Sequence, residues 1–123
     1  MKALSWGVIV NLTRAEVHAA MWAKVRAGEV TQQAAEAALG AFEADYAGEP
    51  PVDLDLVVSV VRESTIEVAT LLIKKHGLRG YDGLQLAAAI EVRNLEPKVD
   101  QFASADAKLK GAAKAEGFRL YLA

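Results

Sequence analysis

The stretch at residues 78–90, Leu-Arg-Gly-Tyr-Asp-Gly-Leu-Gln-Leu-Ala-Ala-Ala-Ile, restricts the folds open to this chain more than any other. After Asp82, the residues Leu84, Leu86, Ala87, Ala88, Ala89 and Ile90 run almost without a polar break. A helix that is apolar round most of its circumference has to be buried round most of it. His76-Gly77 reads as the end of the preceding helix, with glycine at the left-handed position. Asp82, with Gln85 three residues on, reads as a capping box that opens the next helix. One carboxylate therefore stands at the mouth of a packed interior, either as a cap or as a ligand.

Such a helix needs a core around it. With 53% apolar residues in 123, the chain can supply one, at a length that predicts a single domain. Trp-Gly-Val-Ile-Val at 6–10 and Val-Val-Ser-Val-Val at 57–61 are short β-branched runs of the kind found in strands covered on both faces. Residues 99–103 and 119–122 predict two more strands. Thr13-Arg-Ala-Glu16 is a capping box and predicts a helix to about Arg26, ended by Gly28, with Val17, Ala20, Met21 and Val25 inward. Thr31 predicts the cap of a second helix, whose stripe is Ala35, Ala38, Leu39, Phe42 and Tyr46. Gly48-Glu-Pro-Pro51 is punctuation. Ser64-Thr-Ile-Glu67 predicts a third box and a helix to His76. Asp106 predicts the cap of a last helix through Leu109, Ala112 and Ala113, ended by Gly117.

The resulting order, β-α-α-β-α-α-β-α-β, implies parallel strands joined by right-handed crossovers, with helices on both faces. Ligands of such sheets bind beyond the carboxyl ends of the strands. Glu16 and Asp106 each follow a strand at the start of a helix, and Asp82 starts a helix too, so a parallel sheet can gather the three acids at one edge. Each taken singly has a structural explanation, because carboxylates are favoured in a first helical turn. Asp53 and Asp55 read as solvated loop residues.

A net charge of −2 argues against a broad electrostatic grip on nucleic acid and leaves room only for local basic patches. The absence of cysteine excludes a disulfide framework and a thiolate metal site, and a reducing, cytoplasmic setting is the expectation. The apolar run at 3–10 is too short to span a bilayer. No Ser-His-Asp order, Gly-rich phosphate loop or zinc spacing is present. His18, Trp22 and Arg26, at i, i+4 spacing, fit an interface better than an RNA platform. Lys74, Lys75 and His76 suit a helix C-terminus.

The segment Leu78-Arg-Gly-Tyr-Asp82-Gly-Leu, with Thr13-Arg-Ala-Glu16 before it and Phe102-Ala-Ser-Ala-Asp106-Ala-Lys-Leu109 after it, resembles the PIN-domain family. More narrowly, it is similar to the VapC-type ribonuclease toxins of bacterial and archaeal toxin–antitoxin pairs. The resemblance runs from about Val8 to the C-terminus. It implies an α/β fold, a three-layer α/β/α arrangement with a mainly parallel sheet, and an acidic pocket that holds Mg2+ or Mn2+. It also implies hydrolysis of RNA phosphodiester bonds by a metal-activated water. Glu16, Asp82 and Asp106 match the family's metal-binding, catalytic acids, and Ser104 a hydroxyl residue beside the last of them. Thr13 supports Glu16 through its box. Arg79 and Lys108 are placed to meet phosphates, although Arg79 can also pair with Asp82, and Lys108 with Lys110 and Lys114 also fits a solvated helix face. The implied partners are RNA, a VapB-type antitoxin and a second copy of the chain, as a homodimer or higher homo-oligomer. Hard cations take carboxylate oxygens and keep several waters, and they lower the pKa of bound water.

The chain departs from the family's pattern at one end. The family begins with a strand ending in Asp-x-Ser or Asp-x-Thr, then a helix, whereas this sequence starts at what resembles the second strand and has no Asp before Asp45. By that comparison the first strand, its helix and the first carboxylate are missing. Two expectations follow: weaker metal binding with impaired cleavage, and association that covers the surface the lost strand would occupy. A non-catalytic oligomerising or partner-binding module is the alternative expectation.

Overall fold

The computed structural model describes residues 6–49 and 55–121. They form two compact units, divided after Val60. The element order is the expected one, and both strand pairs are parallel. The chain is mixed α/β, mostly helical, with small parallel sheets. Asp53, Pro50, Pro51 and the end of the expected last strand at Leu122 lie outside the described residues.

The first unit contains β1 (Trp6–Val10), α1 (Thr13–Arg26), α2 (Gln32–Ala47) and β2 (Asp55–Ser59). β1 pairs with β2 from Trp6 opposite Asp55 to Val10 opposite Ser59. The amide of Asn11 donates to the Ser59 carbonyl at 3.0 Å and closes the ladder, so Val60 and Val61 fall past the end of a strand expected at 57–61. Thr31 caps α2 as expected, its hydroxyl accepting from the amide of Ala34. Ala35 and Leu39 are buried, Phe42 and Tyr46 half-buried, and Ala38 exposed. In α1 the cap is Leu12, which has no side-chain acceptor, and Thr13 is already the first helical residue. The expected Thr13–Glu16 box does not cap this helix. Val17, Met21 and Val25 share their half-buried face with His18 and Trp22, two adjacent i, i+4 rows that turn Ala20 outward.

A polar cluster joins α1 to α2. Arg14 donates to Glu43 through Nε at 3.0 Å and Nη2 at 2.6 Å, and its guanidinium lies 5.4 Å from the Tyr46 ring centroid. The Arg14 hydrogen bond holds the Glu43 carboxyl below the usual carboxylate range. An open groove of about 480 Å³ runs beside this pair, lined by Gly40, Ala44 and Glu49 among others.

The second unit contains α3 (Glu63–His76), α4 (Gly80–Leu95), β3 (Gln101–Phe102), α5 (Ala107–Ala115) and β4 (Arg119–Leu120). Its core is Ala69, Leu72, Leu78, Leu86, Ala87, Phe102, Leu109, Ala112, Ala113 and Phe118. The apolar run after Asp82 is buried as its composition requires: Leu86 and Ala87 are 0% exposed and Ala88 4%. Gly77, at φ +67°, ends α3 in the left-handed conformation that glycine adopts without penalty. Gly83 lets α3 and α4 come together, because a Cβ there would stand 2.5 Å from Cγ1 of Ile73.

The start of α3 differs from expectation. The Ser64–Glu67 box gives way to a single bond from the Arg62 amide to Oγ1 of Thr65 at 3.2 Å. Thr65 is buried, so its hydroxyl needs this partner, while the Arg62 side chain has no acceptor with which to complete a box. β3 is shorter than the 99–103 run because the Val99 amide is spent on a turn to the Glu96 carbonyl. β3 pairs with β4 through Gln101–Arg119 and Phe102–Leu120, and Arg119 forms a two-pronged ion pair with Asp100 at 2.8 and 2.9 Å.

Glu116, just past α5, joins the ends of three helices. Its carboxylate meets Nζ of Lys75 at 2.8 Å and Nε2 of His76 at 2.7 Å, and its carbonyl accepts from Nη1 of Arg93 at 2.8 Å. Arg93 also stacks on the Phe118 ring at 4.1 Å. The hydrogen bond from Lys75, followed by that from His76, holds the Glu116 carboxyl below its ordinary value. A depressed folded-state pKa contributes stability that is complete above the ordinary carboxylate range and is lost as pH falls through the lowered value. Glu116→Gln is therefore expected to cost about 1 kcal/mol near neutral pH, Lys75 being largely in solvent. It should also make the loss of stability on acidification shallower. Thermal melts between neutral and acidic pH check this, and parallel acid limbs for the two proteins would contradict it.

Candidate functional site

The candidate site in the second unit is built at the junction of the α3–α4 loop with the start of α5. The loop begins at Gly77, anchors itself by burying Leu78, and enters α4 with Arg79 as an extended cap residue at φ −73°, ψ 160°. The Asp82–Gln85 box expected here is not formed. Asp82 is the third residue of α4 rather than its cap, and the Gln85 amide donates instead to the Tyr81 hydroxyl at 3.1 Å. With Arg79 taking the cap position, the Asp82 carboxylate stays in the positive first turn of the helix and is released from capping.

Asp106 reaches the same place from the other direction. It follows the carboxyl end of β3 and caps α5 as expected, Oδ1 accepting from the Leu109 amide at 2.8 Å. The Ser104 hydroxyl accepts from the Asp106 amide at 3.0 Å, which fixes the turn into the helix. Asp106 has a second oxygen, Oδ2, left over from capping. Arg79 lies against both acids, with Nε 3.6 Å from Oδ2 of Asp82 and Nη2 3.9 Å from Oδ2 of Asp106. One guanidinium is thus bracketed by two carboxylates from different elements.

Lys108 does not stand free beside them, since its ammonium donates to the Gly77 carbonyl at 3.2 Å. That bond ties the first turn of α5 to the α3–α4 loop, and so helps to bring Asp106 and Asp82 to one rim. Glu16 lies in the first turn of α1, in the other unit, and is exposed. Thr13 precedes it as the first residue of the same helix. Among the described residues, no three His, Cys, Asp or Glu side chains form a group that could hold a metal ion.

The Arg79–Asp82 pair was legible in the sequence from its i, i+3 spacing. The Arg79–Asp106 contact and the Lys108 tether were not, because both join residues far apart in the chain. Carboxylate oxygens are ligands of the type Mg2+ and Mn2+ take, but among the described residues only two carboxylates meet here, and the Arg79 guanidinium already lies against both. No helix among the described residues is long and apolar enough to cross a membrane. No family model, curated protein or solved structure matches this chain.

Proposed function

We propose that this chain is a PIN-like protein related to the metal-dependent endoribonuclease toxins, with Asp82 and Asp106 as the acids of its pocket, while Glu16 matches the family's helix-borne acid by resemblance alone. The three-layer arrangement, an RNA substrate, a VapB-type antitoxin and a second copy of the chain belong to the same proposal. The observation that supports it best is the shared guanidinium. Arg79 and Asp82 pair through their i, i+3 spacing, and Asp106, which comes from another element, reaches the same guanidinium. In this reading Asp82 and Asp106 would hold Mg2+ or Mn2+, which when bound would supply an activated water and offset phosphate charge. Ser104 fixes the backbone of Asp106, Lys108 holds the rim together through Gly77, and Arg79 is the cation at hand for a phosphate. Two acids are gathered at this rim among the described residues, so the expected metal affinity is weak.

Calorimetric titration of Mn2+ into the full chain tests this, alongside cleavage of a single-stranded RNA. Asp82→Asn and Asp106→Asn preserve shape, and Asn still caps α5. Each is expected to weaken Mn2+ binding at least about 10-fold, since losing even an outer partner of a metal ligand typically costs about 10- to 100-fold. RNA cleavage should fall by at least as much. Cleavage that survives Asp82→Asn would mean that another site or a contaminant does the cutting.

A second reading draws support from the lack of a third metal-ligating partner among the described residues. Here the chain is a non-cutting module that binds a partner or itself, using apolar side chains left in solvent such as Leu71 at 69% and Leu95 at 86% exposure. It predicts no metal-dependent cleavage together with self-association in sedimentation.

A further inference from the structure

We propose that the outer face of α5, with Arg79 at its leading end, is a track for the phosphate backbone of single-stranded RNA, and that it holds the strand without help from a metal ion. This rests on the nuclease reading above and adds to it how the substrate is held. Charge is unevenly divided along the chain. Residues 61–123 carry ten Lys and Arg against eight Asp and Glu, whereas residues 1–60 carry four against eight. With histidines neutral, the overall −2 is therefore the sum of +2 in the later half and −4 in the earlier one. α5 concentrates the surplus, since its nine residues hold Lys108, Lys110 and Lys114 and no acid. The acids that flank it are engaged: Oδ1 of Asp106 accepts from the Leu109 amide, and Glu116 meets Lys75 and His76.

Leu109, Ala112 and Ala113 lie in the core, which leaves the lysines on the flanks and crest of the helix. Lys108 and Lys114 are exposed and Lys110 is half-buried. Among the described residues, the ion pairs of this unit join Lys75 and His76 to Glu116, Arg79 to Asp82 and Asp106, and Arg119 to Asp100, and involve neither Lys110 nor Lys114. Lys108 gives one of its three donors to the Gly77 carbonyl and keeps its charge and the other two. Between the lysines the surface is low: Ala107 and Ala115 are exposed, and a Cβ at Gly111 would meet nothing within 4 Å. Arg79, 83% exposed, stands beside Asp106, the residue that opens α5, so the track ends at the Asp82–Asp106 rim. Nine helical residues span about 14 Å, room for about four phosphates at the 3.4 Å spacing of a stacked strand. α5 turns no large apolar side chain outward, and a protein partner would draw most of its affinity from such anchors. A phosphate backbone needs only the charge.

The test is fluorescence anisotropy of a labelled oligouridylate on the full chain, in EDTA so that no divalent ion takes part, between about 50 and 200 mM salt. Wild type is expected to bind, with an affinity that falls as salt rises. Lys110→Gln combined with Lys114→Gln should weaken binding at least about 10-fold at the lower salt and flatten the salt slope by about 1.4, two contacts at about 0.7 each. Arg79→Gln should flatten it by about 0.7. Lys110→Arg combined with Lys114→Arg keeps the charge and should stay within about 2-fold of wild type. Lys24→Gln combined with Arg26→Gln, on α1, removes the same net charge from the other unit and should also stay within about 2-fold. A wild-type slope in the α5 pair or in Arg79→Gln, or an equal loss in the α1 pair, overturns the track and leaves the nuclease reading standing. Absence of RNA binding by wild type at the lower salt overturns both. Displacement of the RNA by polyglutamate as readily as by unlabelled oligouridylate would overturn the RNA assignment in favour of an acidic protein partner.

Discussion

Leu86→Ala is expected to lower the stability of the second unit by about 3–5 kcal/mol, the upper part of the range for such truncations. Leu86 is 0% exposed and, with Leu109, one of the two largest fully buried side chains among the described residues. Its surroundings are rich in alanine: Ala69, Ala87, Ala112 and Ala113 all belong to the same core. Alanines have no side chain that can turn into a void, and the helices that carry them are already close, so the cavity stays open. Leu86→Ile keeps the volume and should cost less than about 1.5 kcal/mol. Denaturant midpoints give the difference, and hydrogen exchange of the α4 amides assigns it to this unit. A loss under about 1 kcal/mol for the alanine variant would mean that the core closes up more freely than its composition implies.

Gly83→Val should be comparably damaging, at about 3 kcal/mol. Two effects oppose each other at this position. Replacing a helical glycine by alanine gains up to about 1 kcal/mol of helix propensity, and Gly83, fourth in α4, is close to the helix start. Any Cβ, however, meets Cγ1 of Ile73 at 2.5 Å and Cδ1 at 2.9 Å, with the Ala69 carbonyl oxygen 3.4 Å away. Overpacking of this kind costs about 1–3 kcal/mol. For alanine the balance is a modest loss, because the end of the Ile73 side chain can rotate. Valine adds two methyl groups and forgoes most of the propensity gain, so the clash dominates. Combining Gly83→Ala with Ile73→Ala should cost clearly less than the sum of the two changes, a non-additivity expected of residues in contact. Additive losses would show that the two side chains do not compete for the same space.

Much of the architecture could be read in advance, and the reasons are local. The β-branched runs at 6–10 and 57–61, the glycines at 28, 48, 77 and 117, and the Thr31 and Asp106 caps act within a few residues of themselves, and each signals its element directly. The capping boxes at Thr13, Ser64 and Asp82 did not form as expected. A Ser/Thr/Asp-x-x-Glu/Gln pattern shows that a box is possible, while the cap position is decided by where the preceding chain enters the helix. Leu12, Arg62 and Arg79 enter earlier and take that place. For Asp82 this matters most, since a carboxylate used as a cap has less to offer an ion. The meeting of Asp82 with Asp106 depended on tertiary approach. Arg79 and Lys108 bring it about through contacts that span the sequence, and no periodicity encodes those. The role of Gly83 was hidden for a related reason, because the side chain it makes room for lies on another helix.

α5 is fastened to its surroundings near both ends. Lys108, in its first turn, donates to the Gly77 carbonyl, and Glu116 binds the far end to α3 while its carbonyl is taken by Arg93. The helix itself is nine residues, about 14 Å of stiff rod. A rod pinned at one end can pivot, but one pinned at both can neither slide nor spin. Asp106 thus sits on a helix whose opposite tip is held by Glu116, and loss of the Glu116 contacts on acidification is expected to loosen α5 from that tip first.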